Sequence, residues 1–403
     1  MPNATEDTTL VSERVDRLLA DHPPSRVSPE AFWAAQFDLG LAWVHFPEGR
    51  GGLDVDPRLQ DLVDSRLREA GAPSNRLVNF MGVGMAAPTI VAYGSEEHKD
   101  RFLRPIWTCE EIWCQLFSEP GAGSDLAGLS TMAVREGDEW VVNGQKVWTT
   151  MAHVAKWAML LARTDADVPK HKGLTYFLID MEQAGVEVRP LRQLTGDAEF
   201  NEVYLTDARV HDHMRVGEEG EGWTVSMGTL MNERVALGDM SNAPRGSGPI
   251  SHALRVWRGR QGDDPVKRDQ LVRLWIETEL TRLTALRAQA KRDRGVPGPE
   301  GAVGKLAMTL AVQSTWEFVT TLQGLDGTVV DHYDLVRPTV MSEEALSDRE
   351  DIDLAKAFLT TRGTSIGGGT TQIARSVLAE RVLGLPGDVR VDKDVAWRDV
   401  PRS

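Results

Sequence analysis

Residues 115–125 read Gln-Leu-Phe-Ser-Glu-Pro-Gly-Ala-Gly-Ser-Asp, and residues 143–150 read Asn-Gly-Gln-Lys-Val-Trp-Thr-Thr. Because proline and glycine break both helices and strands, the first segment is predicted to be an open loop without regular secondary structure. Such a loop presents its backbone N–H groups and the hydroxyls of Ser118 and Ser124 to a ligand. We therefore expect the two segments to form the floor of a ligand site.

The second segment has the pattern of a β-hairpin. Two short apolar pairs, Val141-Val142 and Val147-Trp148, flank Asn143-Gly144, which is the strongest two-residue turn signal. Trp148 would then lie on a strand, where its indole can stack on a flat ring. A buried core tryptophan is the alternative for this side chain.

A dinucleotide-binding glycine motif is excluded at the loop. Gly121-Ala122-Gly123 begins like Gly-x-Gly-x-x-Gly, but the position of the third glycine is occupied by Leu126. The run of β-branched residues that leads into that motif is also missing.

The composition excludes several classes of protein. The chain of 403 residues carries a formal net charge of −15, which argues against nucleic-acid binding because phosphate contacts need a basic face. The two cysteines, Cys109 and Cys114, are too few for a disulfide framework and lack a neighbouring histidine cluster. We therefore expect no metal site and a reducing, cytoplasmic compartment. No apolar run approaches the roughly 20 residues that cross a bilayer, so no membrane contact is expected.

The order of predicted elements indicates three domains in an α+β fold. Residues 1–111 have helical periodicity, residues 112–213 have short apolar runs separated by turns, and residues 214–403 are helical again. The middle runs predict an antiparallel sheet or a small barrel. Helices are predicted at 11–20, 29–39, 56–70, 76–93, 96–103, 222–240, 250–260, 265–292, 302–323, 350–361 and 371–382, and strands at 139–142, 146–150, 156–163, 173–180, 186–189 and 202–206.

Taken together, the two opening segments closely resemble the acyl-CoA dehydrogenase family. The resemblance implies that family's fold over nearly the whole chain: an N-terminal helical domain, a central β-barrel or sheet domain and a C-terminal four-helix-bundle domain. It also implies an oxidoreductase that is a flavoprotein and binds FAD through the residues that match the family's two segments. These residues are Gln115, Phe117, Ser118, Ser124, Trp148 and Thr150, and Ser124 is also expected to contact the acyl-CoA.

A third segment, Ser365-Ile366-Gly367-Gly368-Gly369-Thr370-Thr371-Gln372-Ile373, opens a helix after three glycines. The glycines let the backbone approach a ligand closely, and Thr370 can cap the helix, whose free N–H groups favour an anion. A plain capped helix after a flexible loop is the alternative. The segment resembles the family's C-terminal motif, which implies FAD contacts by Thr370, Thr371 and Gln372 and substrate contacts by Gly368 and Gly369.

The family's reaction needs a base that removes the α-proton while the β-hydride passes to flavin N5. In most members the base is a Glu directly before Gly-Thr, where this chain has Gly368. A minority place the Glu on an inner helix before an Arg, and residues 231–234, Met-Asn-Glu-Arg, resemble that pattern. This implies Glu233 as the base and Arg234 as a substrate contact.

Helical spacing supports Glu233 independently of the resemblance. It would share a helix face with Leu230, Ala236 and Leu237. An apolar face desolvates a carboxylate and raises its pKa, which suits a general base near neutral pH. A buried salt bridge to an Arg, without chemistry, is the alternative.

Two family elements that contact the FAD of a neighbouring subunit are incomplete. In place of Arg-x-x-Phe-Gly the chain has residues 255–262, Arg-Val-Trp-Arg-Gly-Arg-Gln-Gly, and Gln-x-x-Gly-Gly appears only as residues 321–325, Thr-Leu-Gln-Gly-Leu. Such departures occur in members, some of them steroid-degrading, that pair a complete subunit with a degenerate one.

The resemblance thus implies FAD-dependent α,β-dehydrogenation of an acyl-CoA from fatty acid or steroid side-chain metabolism. The enzyme would be a homo- or heterotetramer, and an electron-transfer flavoprotein would accept its electrons. One alternative is a flavin oxidase or dehydrogenase that acts on a non-CoA or secondary-metabolite substrate. The other is a degenerate subunit of a heteromeric acyl-CoA dehydrogenase.

Overall fold

The N-terminal part of the chain is a helical domain. The structure is a computed structural model that describes residues 4–238, 244–260, 264–292, 294, 298–341, 346, 349, 351–387, 389 and 392–401. Its first five helices are α1 Ala4–Asp21, α2 Pro29–Asp38, α3 Gln60–Glu69, α4 Ala87–Tyr93 and α5 Glu96–Trp107. Ser28 caps α2 through the Ala31 N–H, and Ser95 and His98 form a capping box that starts α5.

The helix predicted over 76–93 begins too early, because residues 76–79 form a turn and helical structure starts at residue 80. Helix α4 spans Ala87–Tyr93 and is preceded by a π-helical turn at Gly82–Ala86. Asn79 explains the difference, because its side chain donates to the carbonyls of Ile106 (2.9 Å) and Glu111 (3.0 Å) and accepts from the Trp113 N–H (3.0 Å). Tertiary hydrogen bonds therefore outweigh local helix propensity in this segment.

The middle of the chain forms one sheet of eight strands. They are β1 Trp113–Leu116, β2 Met132–Glu136, β3 Glu139–Thr150, β4 Trp157–Arg163, β5 Leu174–Asp180, β6 Val186–Pro190, β7 Phe200–His211 and β8 Arg215–Val216. The order is β6-β7-β3-β2-β4-β5-β8, with β1 paired in parallel to β4. Strand β4 is buried along its whole length, which places it at the centre of the core.

The predicted hairpin at Asn143-Gly144 is wrong. Residues on both sides belong to the single long strand β3, which pairs antiparallel with β7 and shifts register between Val142 and Gly144. Asn143 donates its Nδ2 to Asp207 Oδ1 (3.0 Å) and accepts from the Asp207 N–H (2.9 Å). A Cβ on Gly144 would lie only 2.3 Å from Thr131 Oγ1. The dipeptide therefore marks a β-bulge with a close backbone approach instead of a turn.

The prediction that residues 115–125 have no regular structure is wrong at the start of the segment. Gln115 and Leu116 complete strand β1, whose register pairs them with Met159 and Leu160 of β4. Strand β2 was not predicted either, because it covers only Met132–Glu136 and does not alternate between buried and exposed residues: Ala133 is buried and the last three residues are exposed.

The C-terminal part is helical. Its long helices are α6 Gly222–Gly238, α7 Pro249–Gly259, α8 Pro265–Arg292 and α9 Glu300–Gln323, followed by the short helices α10 Leu354–Thr360 and α11 Thr371–Val377. Helices α7, α8 and α9 enclose a core that includes Ile250, Leu274, Trp316 and Val319. The predicted helix over 222–240 ends in residues 239 and 240, which lie outside the described residues.

Candidate active site

The structure brings the two opening segments into direct contact. The Val147 N–H donates to the carbonyl of Ser118 at 2.9 Å, so the loop after β1 lies against the strand that carries Trp148. The loop is closed by two backbone hydrogen bonds between Glu119 and Ala122, of 2.9 and 3.1 Å. Their adjacency agrees with the prediction that the segments share one surface.

A buried ion pair between Lys146 and Glu119 fixes this contact. The Lys146 ammonium lies 2.9 Å from Glu119 Oε1 and donates to the carbonyls of Phe117 (3.0 Å) and Leu161 (2.8 Å). The Glu119 carboxylate also accepts from two backbone N–H groups, at residues 130 and 131. Burial alone would raise the pKa of Glu119, but these partners outweigh it and hold that pKa below its usual value. Burial lowers the pKa of Lys146 in spite of its anionic partner. The hydrogen bonds satisfy the polar groups of both members, as a buried ion pair requires.

Trp148 has an unusual backbone. Its φ is +60°, in the left-handed region that bulky residues avoid, and it falls within a second register shift of β3, between Lys146 and Thr149. The side chain is 59% exposed and lies edge-on to Phe200, with ring centroids 5.9 Å apart. The alternative of a buried core tryptophan is therefore wrong. Strained residues of this kind are concentrated at ligand sites.

Two polar side-chain atoms of the two opening segments are buried without a hydrogen-bond partner among the described residues. They are Gln115 Nε2 and Thr149 Oγ1. Buried polar groups without partners are costly, about 1–3 kcal/mol each, so these atoms suit a ligand that carries polar groups. Thr150 is half-buried beside them.

The other predicted residues of this group differ in their exposure. Ser118 is half-buried and Ser124 is exposed on the loop. The Phe117 side chain is buried and packs edge-on to Tyr176, with centroids 5.8 Å apart. A direct cofactor contact of Phe117 stays a prediction.

The glycine loop of the third segment lies on helix α9. Gly368 and Gly369 have φ of +66° and +92°, conformations that favour glycine. Thr370 caps α11 as predicted, accepting from the Ile373 N–H at 3.1 Å. Beyond it, Thr371 is buried and Gln372 is exposed.

Lys305 of helix α9 forms hydrogen bonds with this loop and interacts electrostatically with Glu233. Its ammonium donates to the carbonyls of Thr364 (2.9 Å) and Gly367 (2.7 Å). Burial lowers the pKa of Lys305, and the Glu233 carboxylate acts in the opposite direction, which places that carboxylate within electrostatic range. Sequence reasoning missed Lys305, because a single lysine on a helix has no motif.

Helix α6, which carries Glu233, is anchored on its N-terminal side by buried hydroxyls. Thr229 Oγ1 lies 2.9 Å from Thr89 Oγ1 and 3.2 Å from the Tyr176 hydroxyl. Glu233 itself is half-buried, and Leu230 packs against the N-terminal core. The side chains of Arg234, Ala236 and Leu237 lie outside the described residues, so their predicted roles stay predictions.

Comparison with known proteins identifies the protein family of this chain. Three models of the acyl-CoA dehydrogenase family match the chain in order: the N-terminal domain over residues 8–110, the middle domain over 114–208 and the C-terminal domain over 220–383. The chain belongs to the acyl-CoA dehydrogenase family. The predicted family and fold are confirmed by these matches, as is the assignment to acyl-CoA dehydrogenase oxidoreductases. The domain boundaries and the site residues stay predictions.

Two similar acyl-CoA dehydrogenases come from Mycobacterium tuberculosis. The chain is 41% identical to FadE34 over 356 residues, which cover 87% of this chain but only 45% of that protein. It is 37% identical to IpdE1 over 353 residues, which cover 87% of this chain and 86% of that protein. The chain therefore spans less than half of the first relative and most of the second.

Solved acyl-CoA dehydrogenase structures share the fold. The Tcur3481-Tcur3483 steroid ACAD has a TM-score of 0.72 at 23% identity, covering 96% of this chain and 99% of that chain. The ChsE4-ChsE5 complex from Mycobacterium tuberculosis has a TM-score of 0.69 at 25% identity, also covering 96% and 99%.

Acyl-CoA dehydrogenases are flavoproteins, and family membership implies FAD as the cofactor. The middle domain has features that fit such a group, namely an exposed indole on a strained backbone and unsatisfied buried atoms on Gln115 and Thr149. A flat ring with polar edges provides both a stacking face and hydrogen-bond partners.

The two segments that stand where the family has its elements for a neighbouring subunit's FAD contain exposed or unsatisfied groups. Arg255 and Arg258, on α7, are both exposed. At the end of α9, Gln323 Oε1 is buried without a hydrogen-bond partner among the described residues, and Leu325 is 86% exposed. This end of the bundle therefore carries groups that suit a partner surface.

The described residues contain neither a metal-binding cluster nor a membrane-spanning helix. Within them, no cluster of three or more His, Cys, Asp or Glu side chains is arranged to hold a metal ion. No helix in the same part of the chain combines the length and apolar character needed to cross a bilayer.

Proposed function

We propose that this chain is an FAD-dependent acyl-CoA dehydrogenase in which Glu233 removes the α-proton of the thioester. The observation that carries this proposal is the neighbourhood of Glu233. The residue is half-buried on an anchored helix and interacts electrostatically with Lys305, which also holds the carbonyl of Gly367. A carboxylate is therefore available beside the glycine loop, although the loop itself has Gly368 where most of the family has its base.

The remaining predicted site residues would bind FAD and the thioester substrate and orient them. When bound, FAD supplies the acceptor for the β-hydride, and Trp148, Thr150, Ser118 and Gln115 would hold it. The backbone N–H of Gly368 can donate to the thioester carbonyl without a side chain. Such a preorganised donor stabilises the developing enolate by about 3–4 kcal/mol.

The substrate and the acceptor are inferred from relatives. The Tcur3481-Tcur3483 steroid ACAD shares the fold, which supports a bulky acyl-CoA from steroid side-chain or fatty acid metabolism as the substrate. We propose an electron-transfer flavoprotein as the acceptor and the cytoplasm as the compartment.

We also propose that the chain works as an oligomer, either of its own copies or with a related subunit. Helix α8 supports this because several apolar side chains at helical spacing are half or more exposed along it. They are Val272, Ile276 and Leu280, with Leu283 close behind. An apolar stripe of this kind needs a covering partner. The solved relative ChsE4-ChsE5 is itself a complex of two different chains.

An anaerobic spectral titration tests the proposed reaction. Purified protein is titrated with straight-chain, branched and steroid-like acyl-CoAs, and bleaching of the oxidised flavin band reports reduction. We expect bleaching by at least one compound in the wild type. Glu233→Gln should keep the yellow colour and lose bleaching by about 100-fold or more, because a general base contributes on that scale. Normal bleaching in Glu233→Gln would remove this residue from the mechanism.

A degenerate subunit is the second candidate function. It is favoured by Gly368 and by the unsatisfied Gln323 at the end of α9. Protein that is purified alone, is colourless and stays colourless with added FAD would support this candidate over the first. Rapid oxygen consumption without another acceptor would instead indicate an oxidase.

A further inference from the structure

Helix α9 carries a stripe of polar side chains, at residues 305, 309, 313 and 317, that form hydrogen bonds with the segment 361–367. Its members recur every fourth residue and therefore lie on one face of the helix. Lys305 donates to the carbonyls of Thr364 and Gly367, Thr309 Oγ1 donates to Thr364 (3.2 Å), and Gln313 Nε2 donates to Thr361 (3.1 Å). The stripe ends at Glu317, which accepts from Arg362 at 2.8 Å.

Lys305 differs from the rest of the stripe in two ways. It is the member that donates to the carbonyl of the first of the three glycines, and its ammonium interacts electrostatically with the Glu233 carboxylate. Its two carbonyl acceptors carry no net charge, so they orient the ammonium but do not neutralise it. The Glu233 carboxylate supplies the opposite charge.

We propose that Lys305 is a positioning residue of the active site, which fixes the glycine loop and the Glu233 carboxylate relative to one another. The inference rests on the proposed role of Glu233 as the base. Loss of the ammonium releases the Gly367 carbonyl, and with it the neighbouring Gly368 N–H. It also removes the charge that orients the carboxylate. A displacement of about 1 Å between such groups costs on the order of 100-fold in rate.

Three variants separate positioning from general packing. Lys305→Met removes the charge and both donors, while Lys305→Arg keeps the charge and offers several N–H donors. Gln313→Leu is the matched control, since it deletes a donor from the same helix face to the same segment without touching the charge beside Glu233. FAD content and thermal midpoint are measured for each variant alongside the rate of flavin bleaching at saturating acyl-CoA.

We expect Lys305→Met to slow bleaching by about 10- to 100-fold, Lys305→Arg to recover to within about fivefold of wild type, and Gln313→Leu to lose less than about threefold. The double variant Glu233→Gln/Lys305→Met should be no slower than Glu233→Gln, because the two residues act as one unit. A rate in Lys305→Met within threefold of wild type, or an equal loss in Gln313→Leu, would overturn the proposal.

A readout that does not require turnover separates this inference from the proposed reaction. If no acyl-CoA bleaches the wild type, the proposed reaction fails, and the thermal midpoints of the four-member Glu233/Lys305 cycle decide the positioning role. The fall in midpoint caused by Lys305→Met should be smaller by about 2 °C or more in the Glu233→Gln background, since its charge partner is already absent. Equal falls in both backgrounds would show that the residues are independent.

Discussion

Replacing Lys146 by methionine tests the buried ion pair between Lys146 and Glu119. Lys146 lies on β3, the strand that also carries Trp148. The side chain of Lys146 is fully buried and makes hydrogen bonds to Phe117, Leu161 and Glu119. Methionine fills nearly the same volume, so the change removes a charge and three hydrogen bonds while leaving little cavity. The Glu119 carboxylate is then buried with only the two backbone N–H groups of residues 130 and 131 as donors.

Breaking a buried pair by removing one partner costs about 3–5 kcal/mol. The two backbone donors that remain on Glu119 place the expected loss of unfolding free energy near the lower end, at about 3 kcal/mol. Lys156→Met is the control, since Lys156 pairs with Asp180 and Glu182 but its side chain is 32% exposed. We expect that control to lose about 1 kcal/mol or less.

The pH dependence supplies a second signature of the same change. In the wild type the folded-state pKa of Glu119 is lowered, so its contribution to stability is present above the unfolded pKa and is lost as the pH falls through the folded pKa. In Lys146→Met, burial without a cation raises that pKa above the unfolded value of about 4.3. Acidification from neutral pH toward that value should therefore reduce the difference in unfolding free energy between the variant and the wild type.

The assay is urea unfolding followed by far-ultraviolet circular dichroism at several pH values and one protein concentration. Two results would refute the reasoning: a loss of unfolding free energy below about 1 kcal/mol in Lys146→Met, or a difference in unfolding free energy from wild type that does not shrink on acidification. Glu119→Gln/Lys146→Met should recover part of the loss, because no buried charge then lacks its partner.

Two further predictions concern the sheet and the C-terminal tail. Gly144→Ala should lower the free energy of unfolding in urea by about 1–3 kcal/mol, because its Cβ would lie 2.3 Å from Thr131 Oγ1. Gly121→Ala is the control, since a Cβ there would meet nothing within 4 Å. Equal losses in the two variants would contradict the bulge. Trp397→Ala should release the tail and speed its cleavage in limited proteolysis, because this buried indole stacks on Arg163 at 4.2 Å and its removal costs about 3 kcal/mol. An unchanged cleavage rate would show that the tail is held by other contacts.

Sequence reasoning succeeded where a physical pattern is local. Helical periodicity predicted the bounds of α8 and α9 closely, because that pattern is contained within each segment. Apolar runs predicted β4 and β5 for the same reason. These elements, with the matched family segments, were enough to predict the order of domains.

It failed where a residue's neighbour is distant in the chain. Asn143-Gly144 has the local pattern of a turn, but Asp207 and Thr131 determine its conformation from other strands. Trp148 was expected to lie on a regular strand, whereas the bulge gives it a left-handed backbone. Lys305 was missed because its importance depends on which loop packs on α9, and spacing within the helix cannot supply that information.

The glycine loop and helix α6 together give a physical reason for a carboxylate on the helix. At Gly368 the backbone φ is +66°, where any side chain other than glycine costs about 1–2 kcal/mol. A glutamate in the loop would therefore be strained. Glu233 instead lies on a helix that is anchored by the Thr229 hydroxyl and packed so closely that a Cβ on Gly228 would meet Tyr93 at 2.7 Å. We propose that a base on this helix keeps its distance to the loop through Lys305, so that the precision of the site depends on the electrostatic interaction between Lys305 and Glu233 more than on the loop's own conformation.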